Sequence, residues 1–228
     1  MGLFTGTARY YAEFRPGYPP ELIRRIAVSG RVLDLGTGTG QIAVPMASYA
    51  REVVAVDPEQ EMLDEMDAPP NVRKVRGRAE DVLDALGTFD LVTIGSALHW
   101  MEPDLLERLH TPAVALLGEL MEESDALTSV LEIAEDVLGP RPAMKQPTVR
   151  YEQALADSPF SNVEELRVPV ERTWTVDQLI GFAYSTSFAS LQRVGDRREE
   201  FERELRARLR PTRERVVSYA FLGRRSDE

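Results

Sequence analysis

The segment Val32–Gly40, VLDLGTGTG, constrains the fold of this chain most, because an apolar run leads directly into three closely spaced glycines. Glycine adopts positive φ without strain and lets backbone approach a ligand where a Cβ would collide. Asp57 stands seventeen residues after the last glycine, at the end of a second apolar run, VVAVD. An acidic side chain in that place binds ribose hydroxyls in doubly wound folds. The pattern therefore predicts two parallel strands whose carboxyl ends flank a nucleoside cofactor.

The spacing of the glycines distinguishes between cofactors. The dinucleotide fingerprint G-x-G-x-x-G would place its last glycine at position 41, which is Gln41, and no G-x-x-x-x-G-K-[ST] phosphate loop occurs in the chain. Gly36, Gly38 and Gly40 instead form G-x-G-x-G, with Asp34 two residues before it. This form resembles the first motif of class I S-adenosylmethionine-dependent methyltransferases. The resemblance implies S-adenosyl-L-methionine as the cofactor and S-adenosyl-L-homocysteine as the product.

Composition narrows the classes of partner. The 228 residues carry 27 basic and 38 acidic side chains, a formal net charge of −11, which argues against general electrostatic binding to nucleic acid or an anionic membrane. The chain has no cysteine and two histidines, so we expect no disulfide and no metal site built from thiolates or several histidines; the sequence leaves open whether a divalent metal assists. No apolar run approaches the ~20 residues of a membrane span. We expect a cytoplasmic protein that acts on a small molecule, and the sequence indicates no oligomeric state.

Short apolar runs alternate with helical patterns through the first half of the chain, which predicts right-handed crossovers and a parallel sheet. Five of these apolar runs and two later ones predict seven strands. Their bounds are Arg31–Leu35, Glu52–Val56, Val72–Arg76, Phe89–Ile94, Ala113–Gly118, Glu164–Thr173 and Arg215–Leu222. The predicted fold class is α/β, with a doubly wound, mostly parallel seven-stranded sheet. The resemblance adds that the fold is the Rossmann-like methyltransferase fold, with one antiparallel strand near the C-terminus.

Helices are predicted between the strands and in the second half, at Gln41–Ala50, Glu59–Asp67, Glu80–Leu86, Pro103–Leu109, Asp125–Leu138, Val176–Ser185 and Asp196–Leu209. The last one has the pairs Glu199/Arg203, Glu202/Arg206 and Glu204/Arg208 and one narrow apolar stripe, so we expect a solvated helix that lies on the sheet. We expect residues 1–228 to form a single methyltransferase domain. Within it, residues 1–29 are expected to be a helical flap and residues 120–162 a helical and irregular cap insertion.

RGRAEDV, from Arg76 to Val82, follows the third strand and resembles the second acidic motif of the same family. There a backbone amide and a carboxylate meet the adenine edge, and Ala79 and Glu80 occupy the matching places. Asp81 is an alternative to Glu80 in this role. A second interpretation is that these residues only start a helix, where acidic side chains complement the helix dipole.

FDLVTIGSALHWM, from Phe89 to Met101, resembles the fourth-strand segment of the small-molecule members of the family. Ser96 would lie just past the strand, near the methionyl end of the cofactor. His99 would face the substrate, and its reference pKa near ~6.5 suits it to act as a general base. Trp100 would form a wall of the substrate pocket. The alternatives are a structural histidine and a tryptophan that only packs.

The resemblance implies a full set of cofactor contacts beside these motifs. They are Asp34, Gly36, Thr37, Gly38, Gly40, Asp57, Pro58, Met62, Ala79, Glu80 and Ser96. Asp57 would fix the ribose and Glu80 the adenine. Asp34 would support the glycine turn or, through water, bind the ammonium group of the cofactor.

The N-terminal segment FTGTARYYAEFRPGYPPELI, from Phe4 to Ile23, resembles the opening of many bacterial methyltransferases of this group. Its prolines suit the first turn of a helix that starts near Pro20. Tyr11, Phe14 and Arg15 would form a flap in which the aromatic rings exclude water and Arg15 pairs with a carboxylate. The alternative is a surface helix packed on the sheet.

These matches predict S-adenosylmethionine-dependent methyl transfer to an oxygen or nitrogen nucleophile of a small molecule, in secondary metabolism. Two alternatives stay open: an NAD-dependent oxidoreductase, and a non-catalytic S-adenosylmethionine-binding protein on the same fold. One departure from the family is Thr111-Pro112-Ala113, which stands where a proline-glycine-glycine turn usually precedes the fifth strand. This departure leaves open the register of that strand and the helix before it.

Overall fold

The chain divides into two compact units within the residues that the structure, a computed structural model, describes: 6–123, 125–140 and 149–226. The sheet unit comprises Gly17–Leu120, Lys145–Val168 and Ser218–Glu228, and the helical unit comprises Met1–Pro16, Met121–Met144 and Pro169–Val217. Parts of the predicted flap and cap, at residues 1–5, 124 and 141–148, lie outside the described residues. The single domain, the flap and the cap stay predictions.

Seven strands form one sheet in the order β3-β2-β1-β4-β5-β7-β6. Their bounds are β1 Arg31–Leu35, β2 Glu52–Asp57, β3 Val72–Arg76, β4 Leu91–Gly95, β5 Ala113–Glu123, β6 Asn162–Trp174 and β7 Thr212–Arg224. β1 pairs in parallel with β2 and β4, β3 pairs in parallel with β2, and β5 with β4. Six strands run parallel and the C-terminal strand runs antiparallel. The predicted α/β fold class, with its mostly parallel seven-stranded sheet, is confirmed.

The fifth strand has a defined register despite the missing glycine turn. Val92 of β4 lies opposite Val114 of β5. The hydroxyl of Thr111, just before β5, donates to the carbonyl oxygen of Phe89, just before β4, at 3.1 Å. A side-chain hydrogen bond therefore joins the starts of the two strands, and the strand does not depend on glycine there.

The helices between the strands are shorter than predicted. The helices are α1 Ala8–Phe14, α2 Pro20–Ile26, α3 Ala43–Met46, α4 Gln60–Glu65, α5 Ala79–Val82, α6 Leu105–Arg108, α7 Asp125–Leu138, α8 Tyr151–Ala156, α9 Val176–Tyr184, α10 Leu191–Val194 and α11 Arg198–Arg208. Three-residue 3₁₀ turns occur at Leu83–Ala85, Leu98–Trp100 and Gly195–Arg197. Pro45 has no N–H to donate to the carbonyl of Gln41, so α3 does not begin at Gln41. Among the described residues, no helix has the length and apolarity that crossing a membrane requires.

The sheet unit buries apolar side chains on both faces of its strands. Along β1 and β2 these side chains alternate between two clusters: Val32 and Val53 belong to one, Leu33 and Val54 to the other. This double burial explains why the strands read as continuous apolar runs.

The helical unit has its own apolar core between α7, α9 and α11. Ile133 of α7, Phe182 of α9, and Phe201 and Leu205 of α11 are buried in one cluster. The prediction that residues 196–209 lie on the sheet is therefore wrong, because this helix packs against other helices. An apolar stripe fits a helix as well as a sheet face, so the stripe alone does not identify its partner.

The ion pairs of α11 also differ from the prediction. Arg206 and Arg208 contact Asp177 of α9 and Asp136 of α7, each at 2.7 Å, instead of the glutamates one turn earlier. Exposed ion pairs are worth little individually, so an acid on a neighbouring helix competes easily with one on the same helix.

Candidate functional site

The glycine turn follows β1 at the carboxyl end of the sheet. Gly36, Gly38 and Gly40 all have left-handed backbone, with φ of 65°, 55° and 92°. A Cβ on Gly36 would lie 2.5 Å from the Cβ of Ala97, and a Cβ on Gly40 would lie 2.8 Å from Cγ2 of Val44. Backbone conformation and available space therefore both require glycine in this turn.

Asp57 ends β2 and holds the glycine turn. Its Oδ2 accepts the N–H of Gly38 and its Oδ1 accepts the N–H of Glu59, both at 2.9 Å. Burial raises the pKa of Asp57, although the two N–H groups oppose the shift. The N–H of Thr37 donates to the carbonyl of Val56 in the same strand, at 3.0 Å. A carboxylate offers about four acceptor positions, so Asp57 can still accept hydrogen bonds from a ligand.

Asp34 is buried beneath the turn and accepts two hydroxyl hydrogen bonds. Thr37 donates to its Oδ2 at 2.6 Å, and Thr93 of β4 donates to its Oδ1 at 2.7 Å. Burial raises the pKa of Asp34 to about 6, against the lowering effect of these two bonds. The sequence analysis missed Thr93. In the sequence, Thr93 stands out only as a polar residue within an apolar strand. The structure places it directly opposite Asp34 in the β1–β4 register.

Glu80 lies in α5, after β3, and is already engaged by protein groups. Its Oε1 accepts the N–H of Glu102 at 2.7 Å, and Nε of Arg78 lies 3.4 Å from its Oε2. Burial alone would raise the pKa of Glu80, but the N–H of Glu102 and the charge of Arg78 hold that pKa below its ordinary value. The carboxylate is therefore ionised at neutral pH and can accept from a further donor.

Pro58, Met62 and Ala79, which were predicted to contact the cofactor, follow strands β2 and β3 in the chain. The carbonyl of Pro58 lies 3.5 Å from Nε of Arg76, at the end of β3. Met62 and Ala79 are buried. None of the three side chains carries a strong hydrogen-bonding group, so these residues could contact a cofactor only through backbone or van der Waals surface.

Ser96 follows β4 in a strained conformation. Its φ of 52° is left-handed, the single such value for a residue other than glycine in the described part of the chain. The hydroxyls of Ser96 and Tyr18 lie 3.3 Å apart. A Cβ on Gly95 would lie 3.2 Å from the same Tyr18 hydroxyl oxygen, so glycine there makes room for the tyrosine. Tyr18 was also missed by the sequence analysis.

His99 and Trp100 form a 3₁₀ turn after β4. Their ring centroids are 4.7 Å apart, and Trp100 is 46% exposed. Burial lowers the pKa of His99 below its ordinary value, so its imidazole is neutral at pH 7. Within the described residues this imidazole has no hydrogen-bond partner. A neutral imidazole without a partner can accept a proton from a substrate.

The predicted flap residues Tyr11, Phe14 and Arg15 belong to the helical unit. The guanidinium of Arg15 lies 5.3 Å from the ring centroids of both Tyr11 and Phe182. Phe14 packs so closely on Gly181 of α9 that a Cβ there would lie 2.3 Å from its ring. The structure thus brings the three residues together around α9, and their role as a flap stays a prediction.

The sheet unit brings Asp34, Asp57, the glycine turn, the start of α5 and Ser96 to the carboxyl ends of β1 to β4. The strand order reverses direction between β1 and β4. Ligands of open α/β sheets bind at such a switch point. No group of three or more acidic or histidine side chains that could hold a metal ion occurs in the part of the chain that the structure describes. Fold and site together define a Rossmann-like α/β protein with a candidate nucleoside site.

Residues 32–118 match the family model of the methyltransferase domain. The resemblance to methyltransferases that the sequence motifs predict is thereby confirmed for this segment. A structure from Anaeromyxobacter dehalogenans, proposed to be a type II methyltransferase, has a TM-score of 0.59 and 24% identity, and the match covers 92% of this chain and 98% of that one. At this identity the likeness concerns the fold alone.

Two curated relatives resemble the first half of the chain. An uncharacterized methyltransferase of Mycobacterium tuberculosis is 41% identical over 107 residues, which cover 45% of this chain and 44% of that protein. The magnesium-protoporphyrin O-methyltransferase of Rhodobacter capsulatus is 39% identical over 80 residues, which cover 33% of this chain and 36% of that protein. The chain thus spans less than half the length of the relatives it matches.

Proposed function

We propose that this chain transfers a methyl group from S-adenosyl-L-methionine to an oxygen or nitrogen nucleophile of a small molecule. The observation that carries the proposal is the left-handed glycine turn tied to the carboxylate of Asp57. The match of residues 32–118 to the methyltransferase domain supports it. The O-methyltransferase named among the relatives supports an oxygen nucleophile.

The residues of the site fit a nucleoside sulfonium cofactor. Gly36 packs against Ala97, where a Cβ would lie 2.5 Å from the Cβ of Ala97, so the tight turn needs glycine at this position. Asp57 has acceptor capacity left for the ribose hydroxyls, and Glu80 has capacity left for the adenine amino group. Asp34 acts through Thr37, whose hydroxyl it fixes, and so supports the turn. Ser96 would contact the methionyl end.

S-adenosyl-L-methionine, when bound, supplies an activated methyl group with a neutral leaving group. The protein therefore needs mainly to align the acceptor, exclude water and remove a proton from the acceptor. His99 is the candidate base, because burial keeps its imidazole neutral at pH 7. A ring nitrogen of His99 would take the acceptor's hydroxyl or ammonium proton, and Trp100 would bound the acceptor.

The helical unit is proposed to select the acceptor. It contains Tyr11, Phe14 and Arg15 and also much of the predicted cap insertion. The expectation of one methyltransferase domain with a flap at 1–29 and a cap at 120–162 belongs to this proposal. So do a small-molecule partner, which suits the acidic composition, and a cytoplasmic location and a role in secondary metabolism.

The oxidoreductase alternative is disfavoured by the segment after the turn. Gln41 replaces the glycine of the dinucleotide fingerprint and bonds Thr39 through its side chain, at 2.7 Å. The following helix, α3, has four residues, so its dipole offers little to a pyrophosphate. Isothermal titration of the full chain with S-adenosyl-L-homocysteine and with NADH tests this directly. We expect binding of the first only, and binding of NADH alone would overturn the proposal.

The non-catalytic alternative requires a turnover experiment. The chain, incubated with S-adenosyl-L-methionine labelled on its methyl group and a small-molecule extract, should produce labelled small molecules. Wild-type chain heated until unfolded serves as the control. Tight binding of S-adenosyl-L-homocysteine with no labelled product from any hydroxyl or amine acceptor would favour a binding protein instead.

A further inference from the structure

The helical unit contains a cavity of about 470 Å³. Its walls include Glu13, Phe14, Arg15, Arg172 and Trp174, which all belong to this unit. Two arginines and two aromatic residues therefore border one space.

Arg15 brings a positive charge that no described residue neutralises. Its guanidinium makes no ion pair or side-chain hydrogen bond within the described residues. The rings of Tyr11 and Phe182, each 5.3 Å away, hold the planar group by cation–π contact. A guanidinium held in this way keeps its N–H donors for a ligand, and its planar fork matches the two oxygens of a carboxylate.

The other charges at the cavity do not cancel that of Arg15. Arg172 lies 3.5 Å from the buried carboxylate of Glu214, and its side chain is 13% exposed, so this pair balances itself. Glu13 is exposed to solvent, which screens its charge. The cavity consequently favours an anion over a cation.

The apolar walls favour a flat ligand. The position of Phe14 is fixed by its close contact with Gly181. The ring of Trp174 packs on Phe182, with centroids 5.4 Å apart. Nε1 of Trp174 is buried and has no hydrogen-bond partner within the described residues. A ring beside these walls would gain aromatic contact.

We propose that this cavity binds a planar aromatic carboxylate, with its carboxylate on Arg15 and its ring between Phe14 and Trp174. A divalent cation does not fit, because guanidinium groups border the cavity and Glu214 is already paired with Arg172. The inference goes beyond the proposed function, since this binding requires no cofactor. It holds whether the bound acid is the methyl acceptor or an effector.

The test compares two ligands of the same shape. The full chain is titrated by calorimetry with trans-cinnamate and with cinnamamide, which is uncharged. We expect cinnamate to bind about 10-fold more tightly or better, because a charge-assisted bidentate hydrogen bond is lost with the amide. Equal affinity for the two ligands, or no binding of cinnamate up to about 10 mM, would overturn the proposal.

Variants then locate the contact. Arg15→Gln should weaken cinnamate binding by about 10- to 100-fold and leave cinnamamide binding unchanged. Arg15→Lys should recover part of the loss, and Arg9→Gln, an exposed site on the same helix, should have no effect. Equal losses in Arg9→Gln and Arg15→Gln would refute the assignment. Methylation of bound cinnamate would identify it as an acceptor, and binding without methylation would identify it as an effector. Either result supports the binding site, and the difference between them tests the methyl-transfer function separately.

Discussion

Replacing Thr93 by valine removes one hydroxyl beside Asp34 and keeps the shape of the side chain. Thr93 is 0% exposed and Asp34 is 1% exposed, and the hydroxyl lies 2.7 Å from the carboxylate. A hydrogen bond to a charged group contributes about 1.5–3 kcal/mol net. At a pH where Asp34 is ionised, we therefore expect Thr93→Val to lower the free energy of unfolding by about 2 kcal/mol.

The cost of this substitution should depend on pH. Burial raises the pKa of Asp34 from 3.8 to about 6. Because this pKa is higher in the folded chain than in the unfolded one, the folded chain holds an extra proton between the two values. The contribution of Asp34 to stability therefore falls as pH rises through that window. Below about pH 6, Asp34 is mostly protonated in the folded chain, so Thr93 faces a neutral acid there, and a neutral hydrogen bond contributes about 0.5–1.5 kcal/mol.

Urea unfolding at about pH 7.5 and about pH 5 measures the difference. The loss caused by Thr93→Val should shrink from about 2 kcal/mol to about 1 kcal/mol. Thr111→Val is the matched control, since Thr111 is also buried but donates to carbonyl oxygens, which do not titrate. Its loss should be the same at both pH values. A loss for Thr93→Val that is equally independent of pH would refute the assignment of charge to Asp34.

Three further substitutions test the candidate site. Asp57→Ala should weaken S-adenosyl-L-homocysteine binding by about 10- to 100-fold in calorimetry; unchanged affinity would move the ribose contact elsewhere. His99→Gln should leave that affinity intact but lower kcat and remove the acid limb of the pH profile; a wild-type profile would exclude the base. Gly36→Ala adds a Cβ 2.5 Å from that of Ala97 and should cost about 2–4 kcal/mol in urea unfolding. Gly139→Ala, at φ 82° with no atom of the described residues within 4 Å, should cost about 1–2 kcal/mol; equal losses would contradict the steric argument.

The sequence predicted best where one local cause determines the structure. Strands β1 and β3 have their predicted bounds, because turn residues close each of them on both sides. The left-handed glycines of the turn were predictable for a similar reason. Only glycine adopts that backbone freely, so G-x-G-x-G before a second acidic strand end permits few other structures.

Prediction failed where the partner is distant in sequence. The bond from Thr93 to Asp34 spans 59 residues and exists only because β1 and β4 are neighbours in register. The contact between Tyr18 and Ser96 spans 78 residues and requires the left-handed φ of Ser96, a conformation its residue type does not suggest. The packing of α11 on other helices was missed because its apolar stripe could pack equally well on a sheet or on helices.

The bonds of Asp57 connect the binding role proposed for this residue with the folding of the turn. Its carboxylate accepts the N–H groups of Gly38 and Glu59, so the side chain that is proposed to bind the ribose also holds the turn. The loss of affinity in Asp57→Ala therefore contains two parts, a missing ribose contact and a loosened turn. Gly36→Ala perturbs the turn and leaves the carboxylate in place, so comparing the two variants separates those parts.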